Sequence, residues 1–438
     1  MADVIASRAQ ILAIFKELYG ERIAEQVNRE PFMMNEFEQS TRMLAGKYWT
    51  VPAHLEGLST GGGPSAVGSY AEDEEVADSG AEAYVELRIQ PKNHYGTIRI
   101  TGLAKAASRT NLAAFAEAWG SEIKEKLKWL ISQLNAQTYQ NGLGALGRAG
   151  ASADTTHIAV ASTAAGNPDG PIPPMSWFRV GMKLDVWADG APFVHATTKR
   201  NGTAGTKKEG VVVTGISGRI LTLGTAVASM TANETGTGDF AIYEDGRENV
   251  PSGEQGKTLN GFALLVDDET EGPTTVQNIS RTTHPIFRGN RMHNSAVERE
   301  LSLDLLQQLL DTNRIQSGVE SDFLVSGYGM RRKYLNLLWH DVRYAPQELK
   351  GGFKTLQFDS LDWYVDKDCP HGRVIAGRKD MIKKYVVRPL GILDDAGTQA
   401  ERIPKTDTYE ILIGGYFNFG IERPNSWGKL VDLVDPAI

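Results

Sequence analysis

Residues 110–144 read TNLAAFAEAWGSEIKEKLKWLISQLNAQTYQNGLG, and the fold turns on how this stretch is read. Leu112, Phe115, Trp119, Ile123, Leu127, Leu130 and Leu134 recur at gaps of three and four, which lines them along one face of an α-helix. Glu117, Glu122, Lys124, Glu125, Lys126 and Lys128 fall mostly off that stripe. Glu122 precedes Lys126 by four residues, the favourable order for an ion pair along a helix. Thr110 or Asn111 supplies a cap, and Gly142 a stop. At about 1.5 Å per residue the helix runs roughly 45 Å. Its recurring charges exclude a membrane span, and Gly120-Ser121 interrupts any heptad seam. Two roles fit: the core helix of an ordinary enzyme, or a strut against which sheets and loops are laid.

The chain has 438 residues, 41% of them hydrophobic, with a formal charge of -8. That length accommodates two or three domains of about 100–200 residues with real cores. A protein that coats nucleic acid is usually basic, so this balance argues against that class. A lone cysteine, Cys369, allows neither an intrachain disulfide nor an all-cysteine zinc site. The start, MADVIASRAQILAIFKELYG, lacks the basic and apolar regions of a signal peptide. No run of about eighteen apolar residues is present, so no membrane partner is expected.

On the N-terminal side of the helix, residues 3–27 read as an amphipathic helix, and Tyr48 to Pro52 as a strand entry. Gly57 to Ala83 is glycine-rich and polar. It carries Glu72, Asp73, Glu74, Glu75, Asp78 and Glu82 with no basic residue among them. Alternation at Val85, Leu87 and Ile89, and again at Ile98 and Ile100, predicts a β-ribbon turned at Pro91 to Tyr95. After the helix, Gly142 to Thr156 reads as a linker. Short alternating segments over residues 171–250 predict a small barrel or sandwich. Ser302 caps a helix carrying Leu305, Leu306, Leu309 and Leu310 that ends near Gly318. Asp322 to Ser326 reads as a buried strand, and Gly329 to Trp339 as a helix with Met330, Tyr334, Leu337 and Leu338 inward. Strands follow at 355–358, 363–366 and 373–376, then a longer one at Tyr409 to Phe419.

Chemical motifs are weak. Gly142, Gly144 and Gly147 match a dinucleotide-binding spacing, but they close a helix instead of opening one. Residues 251–258, PSGEQGKT, resemble a phosphate loop with proline in place of its first glycine. Cys369 stands beside Asp368, which disfavours a thiolate, and Cys369 with His371 is too small a set for a metal. Ser326 lacks the first glycine of a nucleophile elbow. Arg331, Arg332 and Lys333 form a short basic run on a helix, suited to solvent, a neighbouring subunit or an anion. No catalytic, cofactor or metal residue is expected.

The order of parts resembles the major capsid proteins of tailed bacteriophages, of the Hong Kong 97 type. The residues that carry the resemblance are Val85–Gly102 leading into Thr110–Asn141, then Ile279-Ser280-Arg281, Leu301–Leu310 and Asp322–Trp339. It implies an α+β Hong Kong 97-like fold. That fold has an N-terminal arm over 1–46, an extended loop and β-ribbon over 47–109, and a spine helix with linker over 110–156. An inserted barrel over 171–250, a mixed α/β peripheral and axial domain over 257–408, and a C-terminal strand and tail over 409–438 complete it. It further implies hexamers and pentamers of a shell enclosing DNA, in the virion and in host cytoplasm during assembly. Implied partners are a separate scaffolding protein, a portal and a decoration protein. Glu72, Asp73, Glu74, Glu75, Asp78, Glu82, Arg99, Arg331, Arg332 and Lys333 are the candidate inter-subunit residues. Two alternatives stand beside it: the shell of a cellular encapsulin-like nanocompartment, and a hydrolase with a β-accessory domain.

Overall fold

The structure is a computed structural model that describes residues 32–44, 46–55, 72–73, 83–102, 112–149, 156–163, 170–188, 210–226, 240–245, 256–338, 356–393, 401–404 and 406–436. The helix expected over residues 3–27 and most of the acidic loop lie outside these. The fold is mixed α/β, with several sheets and few helices. It divides into two compact units. One contains Met1–Glu36, Pro91–Asn135 and Val386–Phe417; the other contains Phe37–Gln90, Ala136–Tyr385 and Asn418–Ile438.

The long helix is Leu112–Gln137, all but its last two residues in the first unit. Its side chains pass from solvent at Lys124, Glu125 and Lys126 to burial at Leu130 and Leu134, as the stripe requires. The strand Lys92–Thr101 pairs antiparallel with the strand Thr408–Ile421, setting Ile98 opposite Ile411. Leu130 lies over Gly96 of that pair. Asn135 Oδ1 accepts the N–H groups of Met33 at 2.9 Å and Met34 at 3.3 Å, so the long helix caps the short helix Met33–Glu36.

The second unit holds a mixed six-stranded sheet. In spatial order its strands are Asn290–Met292, Trp427–Leu430, Val374–Gly377, Phe323–Ser326, Leu361–Val365 and Leu356–Phe358. Leu324, Trp363, Val374, Ala376 and Leu430 pack beneath the helices Leu303–Ser317 and Tyr328–Leu338. On the opposite face Phe37 inserts among Phe262, Phe323, Phe419 and Trp427, with ring centroids 5.8–6.4 Å from its own. With both faces covered, Phe323–Ser326 is buried throughout, which is why it reads as an unbroken apolar run.

The same unit contains an antiparallel six-stranded sheet. Its order is Ala145–Ala149, Phe240–Glu244, Lys183–Ala188, Val211–Ser217, Ile220–Leu223 and His157–Ala159. A bridge between Ala149 and Val160 joins its two ends, closing the sheet on itself. A bulge between Val213 and Gly215 shifts the alternation, so Val211, Val213 and Ile216 lie on one strand despite their odd spacing. A separate two-stranded ribbon pairs Trp49–Leu55 with Ala83–Ile89. It buries Trp49, Val51, Leu87 and Ile89 against Ile279, Phe287 and Tyr385.

Several expectations change. The segments 85–89 and 98–101 do not form one ribbon. The first pairs with Trp49–Leu55 and the second with Thr408–Phe417, so the region expected as a turn already belongs to the second strand. The helix ends at Gln137, five residues before Gly142, because Gln137 to Asn141 turn inward and bury their polar groups. The supposed linker contains Ala145–Ala149, a buried strand whose small residues hide its alternation. The antiparallel sheet therefore begins at 145, not 171. Leu337, expected inward, is 37% exposed and does not belong to the core. Ile382–Ile392 and Trp427–Leu430 are strands that sequence patterning missed. Among the described residues, no helix is long and apolar enough to cross a membrane.

Candidate assembly surfaces

The motifs that suggest chemistry are used inside the fold. Gly142, Gly144 and Gly147, with φ of 74°, 79° and 154°, lead from a helix into a strand. The Leu143 N–H goes to Asn141 Oδ1 and the Gly144 N–H to Thr258 Oγ1, each at 3.1 Å, so neither is offered to a phosphate. Thr258 is also the last residue of the supposed phosphate loop, whose residues 251–255 lie outside the described ones. Ser326 Oγ accepts from Trp363 Nε1 at 2.7 Å and donates to the Gly327 carbonyl. Burial, reinforced by Asp366, pushes the Cys369 thiol well above its ordinary range. Among the described residues no group of three or more His, Cys, Asp or Glu is placed to hold a metal ion.

The candidate contact residues separate into three settings. Glu72 and Asp73 form an exposed turn; Glu74, Glu75, Asp78 and Glu82 lie outside the described residues. Arg99 is half-buried and pairs with Glu410 across two strands, Nε to Oε1 at 3.3 Å. Arg331 is half-buried, Arg332 is exposed and donates to the Pro436 carbonyl at 3.1 Å, and Lys333 is ion-paired with Glu300. The structure thus joins the basic helix to the chain's last residues, while Arg99 belongs to the other unit.

On the face of the mixed sheet away from the two helices lies a cluster that sequence reading missed. Lys429 Nζ is 2.9 Å from both Asp267 Oδ1 and Glu271 Oε2, and Arg373 Nη1 is 2.7 Å from Glu271 Oε2. Asp267 also accepts N–H groups from Glu269, Glu271 and Gly272. Arg281, fully buried, donates to the carbonyls of Leu264 and Leu265 at a helix end. Burial alone would push the Glu271 carboxyl up; Arg373 and Lys429 outweigh it and hold it well below the usual carboxylate range. Such a cluster costs desolvation and fixes one geometry, here that of the loop 267–272 against the strand Trp427–Leu430. Its one signal in the sequence is Lys429, a lysine between Trp427 and Leu430 in an otherwise apolar strand.

No sequence-family model matches the chain, and no curated protein sequence does. A chain of the cyanophage A-1(L) capsid asymmetric unit superposes with a TM-score of 0.55 at 9% identity, over 95% of this chain and 96% of that one. A Microbacterium phage Oxtober96 chain gives 0.44 at 9% identity, over 97% and 98%. The holo-SrpI encapsulin complex of Synechococcus elongatus PCC 7942 gives 0.28 at 12% identity, over 39% of this chain and 59% of that one. A likeness at 9% identity establishes architecture, and here it runs nearly end to end in both chains. The chain has the fold of the cyanophage A-1(L) capsid chain.

Proposed function

We propose that this chain is the major capsid protein of a tailed-phage head, assembling through hexamers and pentamers into an icosahedral shell around double-stranded DNA. The observation that carries this reading is the likeness to the cyanophage capsid chain over 95% of the sequence. In this reading Leu112–Gln137 is the spine helix, the mixed sheet with its two helices is the axial domain, and the self-closed antiparallel sheet is the inserted barrel. The protein is structural and not an enzyme, needs no cofactor, and resides in the virion after assembly in host cytoplasm. Its partners are its own copies, a separate scaffolding protein, a portal and a decoration protein. A charge of -8 suits a wall that encloses DNA without gripping it.

The acidic segment serves subunit contact. The six carboxylates from Glu72 to Glu82 have no basic residue among them, and their charge is the complement of basic groups on a neighbour. Neutralising Glu72, Asp73, Glu74 and Glu75 to the amides should lower assembly yield and flatten its dependence on salt. Unchanged yield and salt dependence would leave the segment a solvated surface.

Electron microscopy of the expressed protein, alone and with its scaffold, tests the main reading. Closed particles that package DNA support it. Closed particles filled with a cellular enzyme would assign the chain to a nanocompartment instead, and no particles under either condition would refute a shell role.

A further inference from the structure

We propose that the turn Asn294–Val297, the C-terminal residues 432–436 and the helix Tyr328–Leu338 form one contact surface between copies of this chain, joined head to tail about a rotation axis. This rests on the shell reading and names the surface that builds the ring.

The first observation is backbone strain. Ser295 and Ala296 have φ of 56° and 61°, and Val297 N–H donates to the Asn294 carbonyl at 3.0 Å. That is a turn normally built from Asn-Gly, here made from two residues that disfavour the left-handed region. Asp432, itself at φ 60° and nearly buried, holds it, with Oδ2 accepting from Asn294 N at 2.7 Å and Ala296 N at 3.1 Å. Three strained residues thus cooperate to hold out Val297, which is 63% exposed.

The second observation is continuity and charge. Beyond Asp432 the chain runs to Asp435, whose carboxylate fills the space a side chain on Gly329 would need. Tyr328 beside it is 50% exposed, and Arg332 donates to the Pro436 carbonyl. The turn side carries Glu300 and Asp304; the helix side carries Arg331 and Arg332. The Lys333–Glu300 pair ties the two sides together. A surface bearing both signs about an apolar tip complements itself when copies are related by rotation, acid side to basic side. DNA would be repelled by the acidic half, so a second copy is the occupant the chemistry selects.

Charge reversal on the full-length protein tests this. One variant carries Arg331→Glu and Arg332→Glu; the other carries Glu300→Lys and Asp304→Lys. Each alone should lower particle yield about tenfold or more, because the defect repeats at every contact. Mixing the two restores acid-to-base pairing around an even ring, so six-membered rings should return while five-membered ones do not. Val297→Asp, an exposed change that leaves the melting temperature in place, should lower the yield independently. If wild type forms particles and all three variants match it, this proposal fails and the shell reading stands. The proposal fails in the same way if the arginine variant assembles normally but packages less DNA. If wild type forms no particle, both fall together.

Discussion

Lys92 is a cation placed where a cation is costly. It is 5% exposed, and burial lowers its ammonium pKa from the ordinary 10.5 to about 8. A lysine whose folded pKa is depressed contributes full stability above 10.5 and loses it as pH falls through about 8. At pH 7 the penalty is on the order of 3 kcal/mol. Lys92→Met should therefore raise the melting temperature of the isolated subunit at pH 7 and leave it nearly unchanged at pH 10.5, as calorimetry at the two values would show. Glu271 behaves oppositely. Its depressed pKa stabilises the fold above the ordinary 4.5, and that contribution is lost as pH falls toward the folded value. Glu271→Gln leaves Arg373 and Lys429 short of a charge and should cost about 3–5 kcal/mol at pH 7, a deficit that shrinks below pH 4.5 in chemical denaturation. Little of this was legible in the sequence. Lys429 pairs with Asp267, 162 residues away, and no local pattern reports such a partner.

Among the helices and strands, what reads well is what local chemistry determines. Ser302 accepts from Leu305 N at 3.2 Å and Gly318 sits at φ 71°, so the helix between them has its start and stop signals in the sequence. Ser302→Ala should cost about 1 kcal/mol in urea denaturation. What misreads is decided by distant pairing. Ile98 and Ile100 point to the right strand and the wrong partner, because the strand Thr408–Ile421 arrives from the other end of the chain. Ala145–Ala149 reads as a linker because alanine and glycine carry no alternation, yet it forms one end of the antiparallel sheet and meets Val160 at the other. A fragment of residues 145–245 should thus give a cooperative thermal transition, whereas 171–250 lacks two strands and the closure and should not. Equal behaviour of the two fragments, followed by circular dichroism, would show that the closure contributes nothing. Phe37 anchors the residues that follow the N-terminal segment, and Phe37→Ala should cost about 3–5 kcal/mol by opening the aromatic cluster.

For the molecule as a whole, the order of parts was legible although no single motif was. The long helix, the strands before it and the late helices carried the resemblance, and the cyanophage capsid chain matches the fold nearly end to end. Where the candidate contact residues sit was less legible, because partners brought together by folding leave no periodicity of their own. Arg99 is paired within the chain, and Arg332 and Lys333 are joined to the C-terminal residues and Glu300. Whether the chain builds a shell is read from the mass of the full-length protein in solution across a concentration series, by mass photometry or sedimentation, with and without its scaffolding protein. A capsid subunit should give discrete five- and six-subunit species and closed particles in the megadalton range. A single species of monomer mass at every concentration, in both conditions, would exclude that role.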